Sequence, residues 1–468
     1  MKPDATYLTR SDALSLAVRS ARPDAEFVHA LEAARADEGL TFIATRAPVA
    51  PPHALVAAAV DCAVAWTAPS RDADGRALTI AGIGVARELR GNGPERWQQV
   101  IDGARALRIA QSTEGLARPR FLGGGAFAPG AADRGPWTGF GDAWFVLPRW
   151  TYVHDQQHAW LVLAVDEVEA RDADRWTTEL AAHRAALGSK FVPAPQPVAL
   201  EITRASPELW RAQVEAITGA IADGAYAKIV AARTCTVAHG GAVRAADLLA
   251  ALDDRHGDCV RVLVRPPNAG ALVAATPERL VRRIGDTVLC DALAGTVRTD
   301  VAGSAEALLA SAKDRREHAH VVDAIREALA GLGMQVAAPA EPVVRQLRHM
   351  LHLHTPFRAT GERPPHVLEL ARRLHPTPAV GGTPTGHAID WIRRHEPVER
   401  GWYASPVGWF DLDGNGELAV AIRSGVLAGN RAHLWAGAGI VAGSDPDREL
   451  AETELKFRAM LGALGDDR

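Results

Sequence analysis

Residues 435–461, WAGAGIVAGSDPDRELAETELKFRAML, predict a strand that passes directly into a helix. The strand reaches Gly437–Gly439, where small residues let a ligand approach backbone N–H groups closely. Residues 444–446, Ser-Asp-Pro, are typical of a helix start, and acidic residues follow in the first turn. The segment therefore predicts a ligand-sized space between a strand and the helix that follows it.

Three charged residues of this helix lie on one face. Glu449, Glu452 and Lys456 are spaced i, i+3, i+7 and so share a face, and Met460 on the same line indicates that this face is turned inward. Two carboxylates and an ammonium group on an inward face need partners, because an unpaired buried charge is costly. A divalent cation and an anionic ligand would satisfy all three. For the helix taken alone, a solvated Glu–Lys pair remains the alternative.

The composition is that of an ordinary globular protein. The 468 residues suffice for one large domain or for two or three smaller ones, with 47% hydrophobic and 23% charged residues and a net charge of −4. No basic excess favours a nucleic acid or an anionic membrane surface as partner. No signal peptide or spanning apolar run is evident, so a cytoplasmic location without membrane partners is expected. The four scattered cysteines indicate neither a disulfide framework nor a zinc site.

Lysine is rare in this chain. Of 52 basic residues only five are lysines: Lys2, Lys190, Lys228, Lys313 and Lys456. A lysine can lose its proton and act as a base, whereas an arginine cannot. Chance suffices to explain Lys2 and Lys190, but some of the other lysines are candidates for a chemical role.

The chain divides into two parts, and only the second carries candidate site residues. Residues 1–195 predict a mixed α/β part without a catalytic pattern, with helices at 11–20 and 25–34 and strands at 144–153 and 159–165. Prolines in residues 190–198 mark the connection. Residues 196–468 carry the candidate site residues and form the predicted catalytic part.

Two candidate residues stand at strand ends in the second part. Lys228 begins a predicted strand at 227–233, and Glu278 follows a strand at 270–275 and is preceded by a proline. A hairpin is predicted next, and then a loop of small residues at 293–297. Both side chains are therefore expected to be held firmly rather than to move with a loop.

A second acidic pair is predicted on a long helix at 304–329. Asp314 and Glu317 are spaced i, i+3, on an extension of the stripe that carries Val321 and Ile325, so they face the core. Two inward acidic helices that face each other form a set of oxygen ligands suited to Mg²⁺, a hard cation that shares its coordination shell with substrate.

A further pattern predicts a strand whose arginine could bind a carboxylate. A polar helical stretch is predicted at 343–351, followed later by a strand at 417–427 on which Ala419, Ala421 and Arg423 share a face. Two alanines leave room for a ligand, and an arginine can bind a carboxylate through two hydrogen bonds. A surface arginine on an edge strand is equally compatible with this pattern. Together these residues favour a small dianionic substrate bound with Mg²⁺, between an acid and a base.

Seven motifs in residues 200–465 resemble those of the chorismate-utilising enzymes. This family includes isochorismate, salicylate, anthranilate and aminodeoxychorismate synthases. In chain order the motifs are KIVAAR (from Lys228), ATPER (containing Glu278), LAGT (ending at Thr296), KDRREH (containing Glu317), HPTP (from His375), IRSG (containing Arg423) and GAGIV with ETELK (Gly437 to Lys456).

The resemblance implies an α/β (α+β) fold in which large antiparallel sheets are flanked by helices around a central active-site cleft. It also assigns roles to individual residues. The implied Mg²⁺ ligands are Glu317, Glu449 and Glu452, with Asp314 nearby, and the implied chorismate-binding residues are Gly295, Thr296, Tyr403, Arg423, Gly437, Ala438, Gly439 and Lys456.

Lys228 distinguishes the activities within the family. Members that use ammonia often carry Gln at this position, whereas members that add water carry Lys as general base. Lys228 would deprotonate a water that attacks C2 of chorismate, while Glu278 protonates the leaving 4-hydroxyl. Burial favours the neutral forms that these roles require. The resemblance thus implies an isochorismate synthase, and the long N-terminal part favours menaquinone biosynthesis.

Several alternatives stay open at this point. A salicylate synthase would perform the same first step and then eliminate pyruvate, and a siderophore pathway could use the same isochorismate. Anthranilate and aminodeoxychorismate synthases would need ammonia and a glutaminase partner, whereas we expect a monomer without one. A catalytically silent binding protein is disfavoured by the intact Lys228 and Glu278. A Mg²⁺-dependent phosphohydrolase would need a phosphate-binding loop, and the glycine-rich residues 121–129 lack its Lys-Ser/Thr ending.

Overall fold

A computed structural model describes residues 24–36, 38–69, 77–299, 303–346 and 350–466, without the side chains of residues 296 and 298. The helix predicted at 11–20 lies outside these residues. In the described part, no helix combines the length and the apolar composition that crossing a membrane requires.

The described helices follow the chain from the N-terminal part to the last predicted segment. The α-helices are α1 (Ala25–Ala34), α2 (His53–Ala57), α3 (Arg96–Arg105), α4 (Ala173–Gly188), α5 (Pro207–Ala222), α6 (Ala245–Arg255), α7 (Ser304–Ala310), α8 (Ala312–Ala330), α9 (Val367–Leu374), α10 (Thr385–His395) and α11 (Pro446–Ala463). Short 3₁₀ turns are formed by Gly115–Ala117, Gly135–Trp137 and Glu169–Arg171.

The described strands belong to one continuous hydrogen-bonded system. They are β1 (Leu40–Arg46), β2 (Ala63–Thr67), β3 (Thr79–Gly91), β4 (Ile109–Gln111), β5 (Arg120–Gly125), β6 (Ala143–His154), β7 (Ala159–Val165), β8 (Ala199–Arg204), β9 (Lys228–His239), β10 (Val260–Arg265), β11 (Ala271–Thr276), β12 (Arg279–Ile284), β13 (Thr287–Arg298), β14 (Gln335–Ala337), β15 (Val343–Gln346), β16 (Met350–Thr360), β17 (Gly382–Thr383), β18 (Pro406–Asp411), β19 (Gly416–Val420), β20 (Ser424–Ala428) and β21 (Arg431–Val441).

The strands form two sheet regions that share the long strand β6. The first region runs β4-β1-β7-β6-β3-β2-β10-β11-β20-β21-β9-β8, and the second runs β6-β5-β18-β19-β12-β13-β16 with β14 and β15 beside β16. Every pairing is antiparallel except that of β1 with β4. Strands before and after residue 195 thus pair in the same sheets, as a single α/β fold requires.

Two chain segments cross side by side from one sheet region to the other. One joins β11 to β12 through Glu278, and the other joins β19 to β20 through residues 421–423. Backbone hydrogen bonds connect them, because the Ala275 N–H donates to the Arg423 carbonyl at 3.1 Å and the Val420 N–H donates to the Glu278 carbonyl at 3.0 Å. The crossover thus brings the segments of Glu278 and Arg423 next to each other in the middle of the fold.

The first sheet region has a hydrophobic core on each face. Along β10, Val262 and Val264 pack in one core, whereas Leu263 packs in the other with residues of α1, α4, α6 and α11. Because successive strand side chains point to opposite faces, such doubly buried strands read as continuous apolar runs. The helices cover the sheets, as the resemblance implied.

Three local predictions were wrong. Residues 343–346 form β15 and residues 350 and 351 begin β16, where a helix was predicted, because the pairing of β16 with β13 and β15 overrides the weak helical pattern. The helix predicted at 304–329 is two helices, since the Ser311 hydroxyl accepts from the Asp314 N–H and begins α8 anew. Residues 293–297 continue β13 through a bulge at Gly295, whose φ of +67° suits glycine, instead of forming a loop.

The strand predicted at 417–427 is also interrupted. β19 ends at Val420 and β20 begins at Ser424, so Arg423 lies in the connection with a left-handed φ of +49°. The predicted alternation of Ala419, Ala421 and Arg423 on one face therefore does not exist. Arg423 reaches the site through the break between the two strands.

Candidate active site

A cavity of about 450 Å³ opens at the crossover between the sheet regions. Its volume is in the range of sites that bind small molecules. Most of the residues predicted from the sequence line it, namely Lys228, Glu278, Gly295, Asp314, Glu317, Tyr403, Arg423, Gly437, Gly439, Glu449, Glu452 and Lys456. The structure thus brings together residues that are up to 228 positions apart in the chain, from Lys228 to Lys456.

Lys228 lies at the beginning of β9 and is almost completely buried, with 1% of its surface exposed. Its Nζ donates to Glu317 Oε1 on α8 at 2.7 Å. Burial works to raise the pKa of Glu317, but the charge and the hydrogen bond of Lys228 outweigh it and hold the pKa below its usual value. The strand start and the helix face are therefore joined by a buried ion pair at the cavity wall.

Gly439 provides the space for this ion pair. A Cβ atom at this position would lie 2.7 Å from Lys228 Cε and 2.9 Å from Glu317 Oε1, both closer than real contacts allow. Gly437 similarly leaves room for the Tyr403 hydroxyl, which would lie 3.1 Å from an added Cβ. Side chains of the site thus occupy the space beside Gly439, whereas at Gly437 the nearest atom is the backbone carbonyl oxygen of Ala231, 2.8 Å from an added Cβ.

Gly439→Ala is expected to lower turnover by at least ~10²-fold, since displacing a reacting group by about 1 Å costs that much. The clash falls on the flexible end of a lysine, so the fold itself should persist. Steady-state rates and thermal unfolding measure the two effects. Gly386→Ala in α10 is the matched control, because an added Cβ there meets nothing within 4 Å. Equal activity in both variants would contradict this account of Gly439.

Glu278 lies on the crossover, where it lines the cavity and is buried. Burial raises the pKa of Glu278 to about 7, although the nearby Lys228 and Lys456 lower it. A carboxyl with a pKa near 7 can hold a proton and release it at neutral pH, as a general acid must. The sequence predicted this direction of shift, and the structure supplies its cause.

Arg423, Tyr403 and Lys456 provide further polar groups of the cavity wall. Arg423 is 9% exposed and Tyr403 5% exposed, and Tyr403 stacks on Trp435 with ring centroids 6.3 Å apart. Lys456 Nζ donates to the Gly437 carbonyl at 2.7 Å, which holds α11 against β21. Cations on a buried wall suit a substrate that carries carboxylates.

Four carboxylates occupy the wall formed by α8 and α11. They are Asp314, Glu317, Glu449 and Glu452. Burial, together with the charge of Glu452, raises the pKa of Glu449, as expected where negative charges crowd. Carboxylate oxygens are the ligands that Mg²⁺ prefers, so the chemistry of this donor set fits the ion.

These carboxylates are neutralised by lysines in the structure. Glu452 pairs with Lys456 at 2.7 Å and Glu449 lies 3.7 Å from Lys313, as Glu317 pairs with Lys228. Within the described residues, no three His, Cys, Asp or Glu side chains converge closely enough to hold a metal ion as they stand. The donor types fit Mg²⁺, as the sequence predicted, while their present arrangement is set by the lysine pairs.

Two predicted residues do not contribute a described side chain to the cavity. Ala438 points away from it into the hydrophobic core, because it alternates with Gly437 and Gly439 along β21. The side chain of Thr296 lies outside the described part of the structure, although its backbone pairs with His352 in the sheet.

Sequence reasoning missed two buried residues at the cavity. Arg400 forms two hydrogen bonds to Glu396 and also donates to the carbonyls of Val230 and Val380, so it holds the wall together. Its i, i+4 spacing from Glu396 was the available signal. His352 lies on β16, in a segment partly misread as helix, and alternation of its neighbours was the only hint.

His375, the first residue of the HPTP motif, does not line the cavity. Its Nε2 lies 2.9 Å from the Ala404 carbonyl, so the ring is satisfied by a backbone contact. Burial lowers the pKa of His375 to about 3, so the ring is neutral and Nε2–H donates to the carbonyl.

Similarity to known proteins agrees with this arrangement. A family model described as chorismate binding enzyme matches residues 35–465. The salicylate biosynthesis isochorismate synthase of Pseudomonas aeruginosa is 36% identical over 399 residues, which cover 83% of each chain. Isochorismate synthase MenF of Bacillus subtilis is 31% identical over 420 residues, which cover 86% of this chain and 88% of the relative.

Solved structures show the same fold. The menaquinone-specific isochorismate synthase MenF of Escherichia coli superposes with a TM-score of 0.76 at 25% identity, covering 94% of this chain and all of that structure. Anthranilate synthase component I of Streptococcus pneumoniae superposes with a TM-score of 0.66 at 19% identity, covering 82% and 92%. On these matches over nearly the whole described length, the chain belongs to the chorismate binding enzyme family.

Proposed function

We propose that this protein is an isochorismate synthase that adds water to C2 of chorismate and releases the 4-hydroxyl. The observation that carries the proposal is the placement of a buried lysine and a buried glutamate, whose pKa is raised by burial, in one cavity of a chorismate binding enzyme. The names of the relatives, which are isochorismate synthases, support it. Lys228 would take the proton from the attacking water, and Glu278 would give a proton to the leaving hydroxyl.

The substrate carboxylates would be held by cations and a hydroxyl of the cavity wall. Arg423 can form two hydrogen bonds to one carboxylate, and Tyr403 and Lys456 can donate to the other. Gly295 leaves the bulge of β13 free of a side chain beside the substrate ring. These contacts would hold the ring between Lys228 and Glu278, and orientation of this kind provides much of an enzyme's rate enhancement.

We further propose that Glu317, Glu449 and Glu452 hold Mg²⁺, with Asp314 nearby. Bound Mg²⁺ would neutralise these carboxylates and a substrate carboxylate, so that an anionic substrate can approach an acidic wall. Glu317 would share its carboxylate between the metal ion and Lys228, and Glu452 would exchange its bond to Lys456 for the ion. The support is the crowding of hard oxygen donors on one wall.

Glu452→Ala is expected to raise the Mg²⁺ concentration for half-maximal turnover by about tenfold or more, since one charged ligand is lost. Titration of Mg²⁺ by calorimetry, without substrate, should show the same loss of affinity. Asp447→Ala on the same helix is the control, because its carboxylate is exposed and pairs with Arg211 away from the cavity. Unchanged Mg²⁺ titrations of Glu452→Ala would remove this residue from the proposed site.

The pathway we propose is menaquinone biosynthesis, supported by the coverage of the whole E. coli menaquinone-specific enzyme. Deletion of the gene should then lower the menaquinone content measured by mass spectrometry. Unchanged menaquinone with loss of salicylate or dihydroxybenzoate would contradict this and favour the siderophore alternative, for which the P. aeruginosa relative is a precedent by name.

The activity itself is tested by incubating the protein with chorismate and Mg²⁺, without ammonia, and identifying products by NMR. We expect a mixture of chorismate and isochorismate. Salicylate and pyruvate as products would identify a salicylate synthase, and turnover only after ammonia is added would identify an aminating member of the family. Either result would contradict the proposed reaction.

A further inference from the structure

His352 stands between two groups that the substrate would contact. It is buried on β16 and lines the cavity. Its Nδ1 lies 3.1 Å from the Gly295 carbonyl, and its Nε2 lies 3.4 Å from Nη2 of Arg423. One imidazole ring thus bridges the backbone bulge beside the proposed substrate ring and the arginine proposed to bind a substrate carboxylate.

The partners of the two nitrogens determine the tautomer. A carbonyl oxygen can only accept a hydrogen bond, so Nδ1 of His352 carries the proton and donates to Gly295. Burial, reinforced by the charge of Arg423, lowers the pKa of His352 to about 3, so the ring is neutral. Nε2 therefore presents a lone pair to Arg423, and the guanidinium donates to it.

Arg423 lies in a connection between strands, so contacts with neighbouring residues are needed to fix the position of its side chain. The residue lies in the break between β19 and β20 with a φ of +49°, a conformation that surrounding contacts must maintain. A side chain anchored in a connection has several rotamers, and losing that freedom on binding weakens binding. Besides His352, its Nη2 lies 3.9 Å from Met350 Sδ, so β16 provides the described contacts of this nitrogen.

We propose that His352 is a positioning residue that orients the Arg423 guanidinium toward a substrate carboxylate and couples this orientation to the bulge at Gly295. The role rests on the proposed function insofar as the carboxylate belongs to chorismate. His352 takes no part in proton transfer. It fixes two walls of the cavity relative to each other, so its effect should appear in substrate binding more than in the chemical step.

Two conservative variants separate its two contacts. In His352→Asn the amide N–H can replace Nδ1–H toward Gly295, but the shorter side chain does not reach Arg423. In His352→Gln the longer side chain can place its carbonyl where Nε2 accepts from Arg423. We expect His352→Asn to raise the KM for chorismate about tenfold, the usual value of one hydrogen bond to a charged group, with kcat changed less than about threefold. His352→Gln should restore much of the wild-type KM.

A double-mutant cycle with Arg423→Gln tests the coupling. If His352 acts through Arg423, His352→Asn should raise KM in the wild-type background and change it little in the Arg423→Gln background. Fully additive effects, or an unchanged KM in His352→Asn, would overturn the proposal. Equal loss in His352→Gln and His352→Asn would overturn it too, since a role confined to packing predicts that pattern. A larger loss in His352→Gln than in His352→Asn would also overturn it, since that pattern indicates a role confined to the Gly295 contact.

The cycle also separates this proposal from the proposed function. A wild-type protein that does not convert chorismate to isochorismate contradicts the function, whatever His352 does. A converting enzyme in which Arg423→Gln leaves KM unchanged contradicts the carboxylate contact and with it the role of His352. Thermal unfolding of each variant, compared with wild type, shows whether a loss of binding is accompanied by a loss of folding.

Discussion

Lys228→Gln is expected to abolish water addition to chorismate, lowering turnover by ~10²–10⁴-fold as for loss of a general base. Gln is similar in size and can still donate to Glu317, but it has no amine that accepts a proton. Chorismate and Mg²⁺ should therefore still bind. Initial rates of isochorismate formation measure the loss, and chorismate titration monitored by tryptophan fluorescence measures the binding, since Trp435 lines the cavity.

Lys190→Gln is the matched control for this substitution. Lys190 is exposed in the connection before β8 and is remote in sequence from every predicted site residue. Its replacement should leave turnover unchanged. If Lys228→Gln also turned over at the wild-type rate, Lys228 would not be the base. If it lost chorismate binding altogether, the residue would serve the substrate and not the water.

Glu278→Gln is expected to lower turnover by ~10²–10⁴-fold, because the amide cannot protonate the leaving hydroxyl. The pH dependence gives a second signature. Glu278 acts in its protonated form, and its pKa is about 7, so kcat/KM of the wild-type enzyme should fall as the pH rises through about 7. That alkaline limb should be absent from the residual activity of the variant.

Steady-state rates between pH 5.5 and about 9 test both statements, a range that brackets the raised pKa. Glu201→Gln is a suitable control, because Glu201 is exposed on β8 and lies outside the cavity. A near-native rate for Glu278→Gln would remove Glu278 from the acid role. A variant of low activity that retained the alkaline limb would assign this ionisation to another group.

Much of the site could be predicted because its signals are local. The Asp445 side chain caps α11 as the Ser-Asp-Pro pattern indicated, and the i, i+3, i+7 spacing does place Glu449, Glu452 and Lys456 at the cavity. Lys228 and Glu278 stand at strand ends, which strong local patterns define. The antiparallel sheets flanked by helices, however, came from the resemblance and not from periodicity.

The remainder depends on tertiary pairing. The strand pattern of residues 417–427 concealed the break that places Arg423 at the site, because the register of β11 and β12 with β20 and β19 decides where the strand stops. His352 was missed because its segment becomes a strand only through pairing with β13. No local pattern shows that Lys228 and Glu317, 89 positions apart, form one ion pair.

Gly439 lies at the cavity, as the sequence predicted, but the reason given for its small size was incomplete. The sequence suggested that small residues admit a ligand to the backbone, and Gly437 and Gly439 do line the cavity. In the structure the space above Gly439 is filled by the Lys228–Glu317 pair. The glycine is therefore required by two side chains of the cavity, and this is visible only when the three residues are seen together.

The central claim, that Lys228 activates a water for attack at C2, is tested most directly with isotope-labelled solvent. The enzyme is given chorismate and Mg²⁺ in H₂¹⁸O, without ammonia, and the product is analysed at early times by mass spectrometry and ¹³C NMR. Isochorismate carrying one ¹⁸O at C2 is the predicted result, and Lys228→Gln should not form it. Isochorismate that retains the unlabelled oxygen of chorismate would contradict water attack and with it the assigned roles of Lys228 and Glu278.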